Sequence, residues 1–325
     1  MEKTKSIKES LIGFIGQGFI GKNYADDFEQ RGYAVVRYAK EAPYEGNAEK
    51  IKECDIVFIA VPTPTTPQGF DYSIVEGVLQ HVGAGKIAVI KSTMLPGTTK
   101  KLQKRYPDRF VFHSPEFLRE RSAAHDAAHP NRNIVGIPKD DAGNRKAAQS
   151  VISILPKAPF EAVIDSTEAE LVKYAGNNFL YTKVVFMNML YDLSQKLGCR
   201  FETIRDAMIA DPRIGASHMD PLHKSGHTEK GGRGAGGHCF IKDFAAFSEL
   251  YEELVGDKQG IELLHALRDK NNELLRASGK DIDLLEGVYG KKKGGGIVHP
   301  TSPLRTRLRR GKAILPSKEG RRQSR

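Results

Sequence analysis

One cysteine follows a run of glycines in a way that could hold a nucleophile against a substrate. The run reads Gly234-Ala235-Gly236-Gly237-His238-Cys239-Phe240-Ile241-Lys242-Asp243, and the apolar spacing after it predicts a helix with Asp243 near its N-cap. A thiol just ahead of a helix N-terminus lies where partial positive charge favours the thiolate. Glycines also let the backbone approach a ligand closely. The pattern indicates a nucleophilic Cys239, with a small buried apolar cysteine as the alternative.

A phosphate-binding pattern occurs near the N-terminus. The apolar segment 11–15 is followed by Gly16-Gln17-Gly18-Phe19-Ile20-Gly21, a helical segment to residue 31 and a second strand at 33–38. This order of strand, glycines, helix and strand predicts a dinucleotide site with the pyrophosphate at the helix N-terminus.

The end of the second strand leaves the choice of dinucleotide open. An acid there would hold the adenosine ribose of NAD, but the chain has Arg37 and Lys40, followed by Glu41. NAD is the first expectation. NADP, with its 2′-phosphate bound by Arg37 and Lys40, is the alternative.

Strand and helix patterns alternate through the first half of the chain. Strands are predicted at 56–61, 87–90, 110–112 and 133–136, and helices at 73–82, 98–106 and 140–155. Such units predict a Rossmann-type, doubly wound parallel sheet of the α/β class, covered by helices on both faces. Ligands bind beyond the carboxyl ends of such strands. Segments 62–65, 91–93 and 114–120 occupy those positions, which predicts a cleft.

One long helix is predicted to follow the sheet. Apolar residues recur at three- and four-residue steps over 166–197, a length of about 48 Å that a second subunit or neighbouring helices would bury. Lys173 and Asn177 share one face of it, which suggests a ligand contact. Shorter helices are predicted at 203–210, 243–254 and 260–278. The expected domains are 1–165 for dinucleotide binding, 166–290 as a helical domain, and 291–325 as a tail.

The net charge of +10 comes from this tail. Residues 291–325 contain 12 Lys and Arg against the single acid Glu319, so the rest of the chain is nearly neutral. The tail reads as disordered. We expect a non-functional extension, with a nucleic-acid contact as the weaker alternative.

Cysteine content and hydropathy point to an intracellular protein. The three widely spaced cysteines form no disulfide framework, which favours a reducing cytoplasm. No apolar run is long enough for a membrane span, and the polar N-terminus does not read as a signal peptide.

Seven blocks in order resemble the UDP-glucose/GDP-mannose dehydrogenase family, over about residues 10–255. Two of them, Pro115-Glu116-Phe117-Leu118-Arg119-Glu120 and Gly236-Gly237-His238-Cys239-Phe240-Ile241-Lys242-Asp243, are highly specific as a pair. The other five are the glycine pattern at 16–21, Val61-Pro62-Thr63-Pro64, Lys91-Ser92-Thr93, Lys173-x-x-x-Asn177, and Asp211-x-Arg213-Ile214-Gly215.

The resemblance implies a four-electron oxidation of a nucleotide-sugar C6 alcohol to a carboxylate with two NAD⁺, UDP-glucose to UDP-glucuronate being the first expectation. Cys239 would hold the sugar as a thiohemiacetal and then a thioester. Lys173 and Asn177 would stabilise the C6 oxyanion. Asp243 would hold a water, and Glu116 would activate the hydrolytic water.

The resemblance also implies the binding residues. Thr93 would lie where nicotinamide meets C6. The cofactor would contact Gly16, Gly18, Phe19, Ile20, Gly21, Pro62, Thr63, Thr93 and Glu120. The substrate would contact Glu116, Phe117, Leu118, Arg119, Lys173, Asn177, Arg213, Gly234, Gly236 and Gly237. The family's long helix implies a homodimer, with Arg213 reaching the neighbouring subunit's site.

Three departures from the family pattern keep alternatives open. The chain ends before the family's C-terminal domain, Arg121 replaces a glycine, and extra residues include His218, His223 and His227. No metal is expected, because the spacings fit no standard zinc set and a metal on Cys239 would block it. A two-electron β-hydroxyacid dehydrogenase needs no cysteine, so Cys239 and the Glu116 block argue against it. Against a catalytically silent nucleotide-binding or scaffold protein stand the intact Lys173, Asn177, Cys239 and Asp243.

Overall fold

A seven-stranded sheet forms the centre of the protein, whose computed structural model describes residues 10–225 and 231–291. The strands in these ranges are β1 (Leu11–Ile15), β2 (Ala34–Tyr38), β3 (Ile56–Ile59), β4 (Thr65–Thr66), β5 (Gly69–Phe70), β6 (Ile87–Ile90), β7 (Phe110–His113), β8 (Arg132–Ile137) and β9 (Phe160–Asp165). The sheet order is β2-β1-β3-β6-β7-β8-β9, and β4 and β5 form a separate hairpin.

All neighbouring strands of the large sheet are parallel except β7 and β8, which meet antiparallel at His113 and Gly136. A doubly wound sheet is thereby confirmed as mostly parallel, and the expectation of a fully parallel sheet is wrong at this pair. An antiparallel return needs no long crossover helix. The chain between β7 and β8 accordingly carries the Glu116 loop and one short helix.

Eleven helices occur in the described ranges. They are α1 (Phe19–Gln30), α2 (Ala48–Ile51), α3 (Ser73–Leu79), α4 (Thr98–Arg105), α5 (Ala123–Ala128), α6 (Ala142–Ile154), α7 (Ser166–Lys196), α8 (Phe201–Ile209), α9 (Gly237–Leu254), α10 (Lys258–Ser278) and α11 (Ile282–Tyr289).

Two apolar cores lie on opposite faces of the sheet, because successive strand residues point to opposite faces. On one face Phe14 stacks on Phe58 with ring centroids 5.1 Å apart, among residues of α1 and α6. On the other face the next residues along these strands, Ile15 and Ile59, pack among residues of α3 and α4. This alternation fixes the parallel register of β1, β3 and β6, so their carboxyl ends lie at the same edge of the sheet.

The long predicted helix is confirmed as the 31-residue α7. Asp165 ends β9 and also caps α7 through a capping box with Glu168, so the helix begins directly at the sheet edge. Helix α9 packs against α7, with the rings of Tyr181 and Phe244 stacked 3.9 Å apart. Two helices carrying predicted chemistry are therefore held face to face.

The start of α9 corrects one prediction. The helix begins at Gly237 with Gly236 as N-cap, six residues earlier than expected, so Asp243 lies in its second turn. The glycines did not end the helical pattern because they stand at the cap and first turn, where a helix tolerates them.

No helix within residues 10–225 and 231–291 combines the length and apolarity that a bilayer span requires.

Candidate active site

The candidate site lies at the carboxyl ends of β3, β6 and β7. Ser92, just after β6, accepts a hydrogen bond from the Val61 amide (3.0 Å) and donates one to the Val61 carbonyl (2.7 Å). This pair of bonds joins the segment with Pro62 and Thr63 to the segment with Thr93. Thr63 and Thr93 are both buried there. Two of the three segments expected to border a cleft therefore lie side by side, while the cleft itself stays a prediction.

The third segment contributes a buried ion pair. Lys173 Nζ on α7 lies 2.7 Å from Glu116 Oε1 and donates a second bond to the Glu116 carbonyl at 2.8 Å. Burial raises the pKa of Glu116, but the charge and hydrogen bond of Lys173 outweigh it and leave the pKa below the ordinary value. Burial lowers the pKa of Lys173, and Glu116 more than restores it. Both groups are therefore charged at neutral pH.

A second buried contact joins α7 to α9. Asn177, one turn after Lys173, donates from Nδ2 to Asp243 Oδ2 at 2.6 Å, and Asp243 is fully buried. Lys242 Nζ binds the other oxygen of Asp243 at 2.5 Å. Lys173, Asn177 and Asp243, which were predicted from separate motifs, are held together by these contacts.

Cys239 lies in the first turn of α9, one helical turn before Asp243, and is accessible to solvent. The protein around the sulfur raises the pKa of the thiol, whereas Lys173 and Lys242 lower it. The net shift is upward, so the described state favours the thiol. The protein around the sulfur thus outweighs the nearby cations, and the thiolate expected at this helix end stays a prediction.

Sequence reasoning assigned no role to Lys91, which lies in the same region. Its side chain is buried, donates to Ser114 Oγ at 3.2 Å and lies 4.5 Å from the centre of the Tyr24 ring. Burial is the main cause that lowers the pKa of Lys91 to about 7; the charge of Glu116 opposes this shift and that of Lys173 adds to it. Its position directly after a buried strand, beside Thr93, was the available signal.

Glu170 is a second residue without a predicted role. Its carboxylate accepts hydrogen bonds from the amides of Gly97 and Thr99 and from the Thr99 hydroxyl. These donors form the N-terminus of α4, so Glu170 on α7 fastens the end of the loop that carries Thr93.

The glycine pattern at 16–21 fits a dinucleotide. Gly16 has φ +90°, and a Cβ there would lie 2.2 Å from the Ala60 carbonyl oxygen, while a Cβ on Gly21 would lie 1.9 Å from the Gly16 carbonyl oxygen. A Cβ on Gly18 would meet nothing within 4 Å. Two glycines thus close the turn, and the third leaves the N-terminus of α1 open to a phosphate. Phe19 is 42% exposed beside it, and Ile20 packs on the core.

Arg37 is already ion-paired. It contacts Asp26 Oδ1 at 2.7 Å and Glu29 Oε2 at 2.8 Å, with only 10% of its side chain exposed. It also donates to Gln17 at 3.2 Å. Two carboxylates therefore neutralise the cation expected to bind a 2′-phosphate.

Of the other predicted residues, Leu118 joins these contacts through its backbone amide, whereas the side chains of Phe117, Arg119 and Arg213 have other partners. The Leu118 amide binds Glu116 Oε2 at 2.8 Å, and the Phe117 ring lies 3.6 Å from the Arg132 guanidinium carbon. Arg119 pairs with Asp126 at 2.6 Å and Glu120 is exposed. Arg213 is 88% exposed and pairs with Asp211 at 2.6 Å.

The glycines before Cys239 pack closely against α10 and the turn after it. A Cβ on Gly234 would lie 3.1 Å from Asn271 Oδ1, and one on Gly236 would lie 2.1 Å from Asp281 Oδ2. Gly237 has φ +83°. These contacts explain the glycines without a ligand, so their predicted contact with the sugar stays a prediction.

The extra histidines form no metal site in the part of the chain that the structure describes, where no group of three or more His, Cys, Asp or Glu could hold a metal ion. His223 Nε2 lies 3.0 Å from Lys280 Nζ. His227 lies outside the described residues.

Comparison with known proteins identifies two parts of one family. Residues 40–153 match the NAD binding domain of the UDP-glucose/GDP-mannose dehydrogenase family, and residues 167–273 match its central domain. The first match supports NAD as the cofactor.

Individual proteins similar to this chain belong to the same family. UDP-glucose 6-dehydrogenase of Rickettsia conorii is 32% identical over 216 residues, which are 62% of this chain and 46% of the relative. UDP-glucose 6-dehydrogenase YwqF of Bacillus subtilis is 31% identical over 265 residues, 76% of this chain and 56% of the relative. The solved structure of a UDP-glucose dehydrogenase from Pyrobaculum islandicum aligns with a TM-score of 0.71 at 28% identity, covering 85% of this chain and 71% of that one.

The chain thus spans about half the length of the curated relatives it matches. The two family matches cover more than half of the chain, follow the family's order, and coincide with the sheet and with the helices that carry the clustered residues. The chain belongs to the UDP-glucose/GDP-mannose dehydrogenase family.

Proposed function

We propose that this protein is an NAD-dependent nucleotide-sugar 6-dehydrogenase, with UDP-glucose as the substrate that it converts to UDP-glucuronate. One observation carries the proposal. Lys173 on α7 bonds Glu116, and Asn177, one turn further along α7, bonds Asp243 on α9, the helix that also carries Cys239. A cysteine, a lysine and a carboxylate gathered in this way suit an oxidation that passes through a covalent thioester.

Each group has a chemical task in this proposal. Bound NAD⁺ would accept a hydride from C6 in each of two oxidations. The Cys239 thiol adds across the aldehyde carbonyl, its sulfur bonding to the carbon and its proton passing to the carbonyl oxygen, which gives a thiohemiacetal. Loss of a hydride and the hydroxyl proton leaves a thioester.

Hydrolysis then releases the acid. A water attacks the thioester carbonyl and gives its proton to a carboxylate, the carbon–sulfur bond breaks, and the carboxylate returns that proton to the sulfur to restore the thiol. Glu116 is the proposed base, since Lys173 holds its pKa below the ordinary value and keeps it ionised. The Lys173 ammonium and Asn177 amide stabilise the oxyanion, and Asp243 orients Asn177.

The ion pairs of Arg37 support NAD over NADP. A 2′-phosphate would have to compete with Asp26 and Glu29 for the guanidinium and would approach two carboxylates. The free ribose hydroxyls of NAD meet no such repulsion.

A homodimer through α7 forms part of the proposal. Six large apolar side chains on this helix are each at least 46% exposed: Leu171, Phe179, Phe186, Met189, Leu193 and Leu197. Phe179, Phe186 and Leu193 recur every seven residues and so form one stripe. A second copy of α7 would bury it, and the exposed Arg213 would be free to reach the partner's site.

The two family matches, at residues 40–153 and 167–273, support the proposed domain division. We assign residues 1–165 to cofactor binding and 166–290 to the dimer and the catalytic helices; the predicted tail 291–325 lies, apart from residue 291, outside the described residues. The cysteines Cys54, Cys199 and Cys239 are all free thiols, in keeping with a proposed cytoplasmic location.

The stoichiometry of NADH tests the proposed function. Purified protein given NAD⁺ and limiting UDP-glucose should form two NADH per sugar, and Cys239→Ser should abolish or stall the reaction. Cys199→Ser, at an exposed cysteine after α7, serves as the matched control and should change nothing. One NADH per substrate, unaffected by Cys239→Ser, would instead show a two-electron dehydrogenase. Absence of turnover across UDP- and GDP-sugars, with NAD⁺ still bound, would indicate a silent nucleotide-binding protein.

A further inference from the structure

Two charged residues are completely buried in the turn between α10 and α11. Lys280 and Asp281 are each only 1% exposed, and they follow Gly279, the left-handed C-cap of α10. Lysine and aspartate are almost never buried to this extent unless they are paired or hydrogen-bonded. The two side chains of this 280–281 turn must therefore have partners inside the protein, and these partners indicate the role of the turn.

Asp281 binds the first residue of the helix that carries Cys239. Its Oδ2 accepts a hydrogen bond from the Gly237 amide at 2.7 Å and another from Ser225 Oγ at 2.8 Å. The first amides of a helix have no partner within it. The N-cap Gly236 has no side chain to supply one, so Asp281 caps α9 from 44 residues away.

Asp281 makes this contact from an unfavourable backbone conformation. The residue has φ 51° and ψ 38°, a left-handed conformation that L-residues other than glycine seldom adopt. Its side chain makes no capping bond to its own helix, α11. The strained conformation thus serves the contact with α9.

Lys280 holds the loop just before that helix. Its Nζ donates to the Gly234 carbonyl at 2.9 Å and lies 3.0 Å from His223 Nε2. Burial lowers the pKa of Lys280 to about 8, and Asp281 opposes the shift. The two neighbouring side chains therefore bind the loop on either side of Gly236.

The glycines of this loop are what permit the close approach. A Cβ on Gly236 would lie 2.1 Å from Asp281 Oδ2, and one on Gly232 would lie 2.7 Å from Lys280 Cβ. Real Cβ atoms do not approach other atoms so closely. Any side chain at these positions would push the 280–281 turn away.

We propose that Lys280 and Asp281 are positioning residues for the nucleophile, which fix the start of α9 and thereby hold Cys239 beside Lys173. The rest of α9 is held separately by its packing on α7. Loss of the 280–281 contacts would therefore displace the first turn more than the whole helix. The inference rests on the proposed function of Cys239.

Thiol reactivity tests the inference without any sugar substrate. In the full-length Cys199→Ser protein, alkylation of Cys239 by iodoacetamide would be followed by peptide mass between pH 6 and 10. Asp281→Gly removes the carboxylate, and glycine tolerates the left-handed backbone. We expect its alkylation midpoint to shift downward, toward that of an unstructured thiol, because a displaced first turn would relieve the burial, which raises the pKa of the thiol more than Lys173 and Lys242 lower it.

Three comparisons separate positioning from general stability. Asp281→Asn keeps an acceptor oxygen for the Gly237 amide and should retain the parent profile. Asp257→Gly removes an exposed carboxylate that accepts a hydrogen bond from a first-turn amide of α10, and it should also leave the alkylation profile of Cys239 unchanged. In turnover, Asp281→Gly should lower kcat at least tenfold with KM for NAD⁺ unaltered, since the glycine pattern at 16–21 is untouched.

An Asp281→Gly protein that folds and keeps both the parent profile and the parent kcat would overturn the inference. If that variant fails to fold, Lys280→Met replaces it, since it removes only the amine, and an unchanged profile would again overturn the inference. A wild type without turnover on any sugar nucleotide, combined with the expected shift in Asp281→Gly, would reject the proposed function while supporting the positioning role.

Discussion

Lys173 and Glu116 form an ion pair with Nζ and Oε1 2.7 Å apart and with only 6% and 5% of the two side chains exposed. Removing one partner of such a pair leaves a buried, uncompensated charge, which costs about 3–5 kcal/mol. We therefore expect Lys173→Met to lower the free energy of unfolding by about that amount in urea at pH 7. Lys52→Met breaks the exposed Lys52–Glu49 pair, which is 2.6 Å long, and should cost less than about 1 kcal/mol. Equal losses in the two variants would contradict the pairing.

The Lys173–Glu116 pair also predicts how the free energy of unfolding depends on pH. Because the pKa of Glu116 is lowered in the folded state, its stabilising contribution is complete above the ordinary value of 4.5 and is lost as pH falls through the lowered pKa. The difference in unfolding free energy between wild type and Glu116→Gln should therefore shrink below about pH 4.5. A difference that stays constant down to pH 3 would show that Glu116 is not ionised in the native protein.

Lys91 should produce a second dependence of stability on pH, of the same sign but at alkaline pH. Burial lowers its pKa from 10.5 to about 7, so the folded protein binds fewer protons than the unfolded chain between these values. Stability should rise with pH over this window, at up to about 1.4 kcal/mol per pH unit. Lys91→Met should remove that rise in urea unfolding at pH 7–10. Lys86→Met, at a lysine that is 30% exposed and paired with Asp55, is the control and should retain the rise.

The sheet and the long helix were predictable because they follow strong local patterns. Capping residues and apolar periodicity define α7 to within one residue of its predicted end. Strand β9 was missed, since four of its six residues are only partly buried and two are exposed, which leaves little pattern at a sheet edge. The motifs likewise predicted Lys173, Asn177, Glu116, Cys239 and Asp243, and the structure joins four of them in two bonded pairs, Lys173 with Glu116 and Asn177 with Asp243.

The supporting residues were not predictable, for a physical reason. Lys280 and Asp281 act on a loop more than forty residues earlier, through contacts that exist only after α10 has packed. Glu170 similarly reaches the start of α4 from α7. A charged residue in a turn or on a helix usually faces solvent. Its burial depends on tertiary structure, which leaves no local pattern.

The glycine pattern at 16–21 has two functions, to close the turn and to leave room for the phosphate, and alanine substitutions can separate them. Gly16→Ala places a Cβ 2.2 Å from the Ala60 carbonyl at φ +90°, so it should cost about 1–3 kcal/mol of stability and also weaken NAD⁺ binding. Gly18→Ala meets open space and should change stability by less than about 0.5 kcal/mol. It should nevertheless weaken NAD⁺ binding, because its methyl would occupy the phosphate approach.

Urea unfolding and calorimetric titration with NAD⁺ would measure both effects. Gly32→Ala, at a left-handed glycine with open space outside the pattern, should lose stability without losing affinity. Unchanged affinity in Gly18→Ala would place the dinucleotide elsewhere.

The exposed stripe on α7 gives a prediction about assembly. Phe179 and Phe186 are 70% and 54% exposed, one heptad apart, and an interface between two copies of α7 would bury both. A carboxylate in that interface would be desolvated without a partner. We therefore expect the double variant Phe179→Glu, Phe186→Glu to sediment as a monomer at concentrations where the wild type is a dimer. Leu263→Glu, at a leucine of α10 that is 62% exposed, should leave the dimer intact.

Activity measured on the same samples would show whether the dimer matters for the site. Arg213 is 88% exposed and pairs with its neighbour Asp211, so within one chain it contributes nothing to the contacts around Lys173. If it acts across the dimer, the monomeric variant should lose turnover although its NAD⁺ affinity is kept. Mixing that variant with an Arg213→Ala protein, which carries intact α7 stripes, should not restore turnover. A monomer with full activity would remove Arg213 and the second subunit from the proposed mechanism.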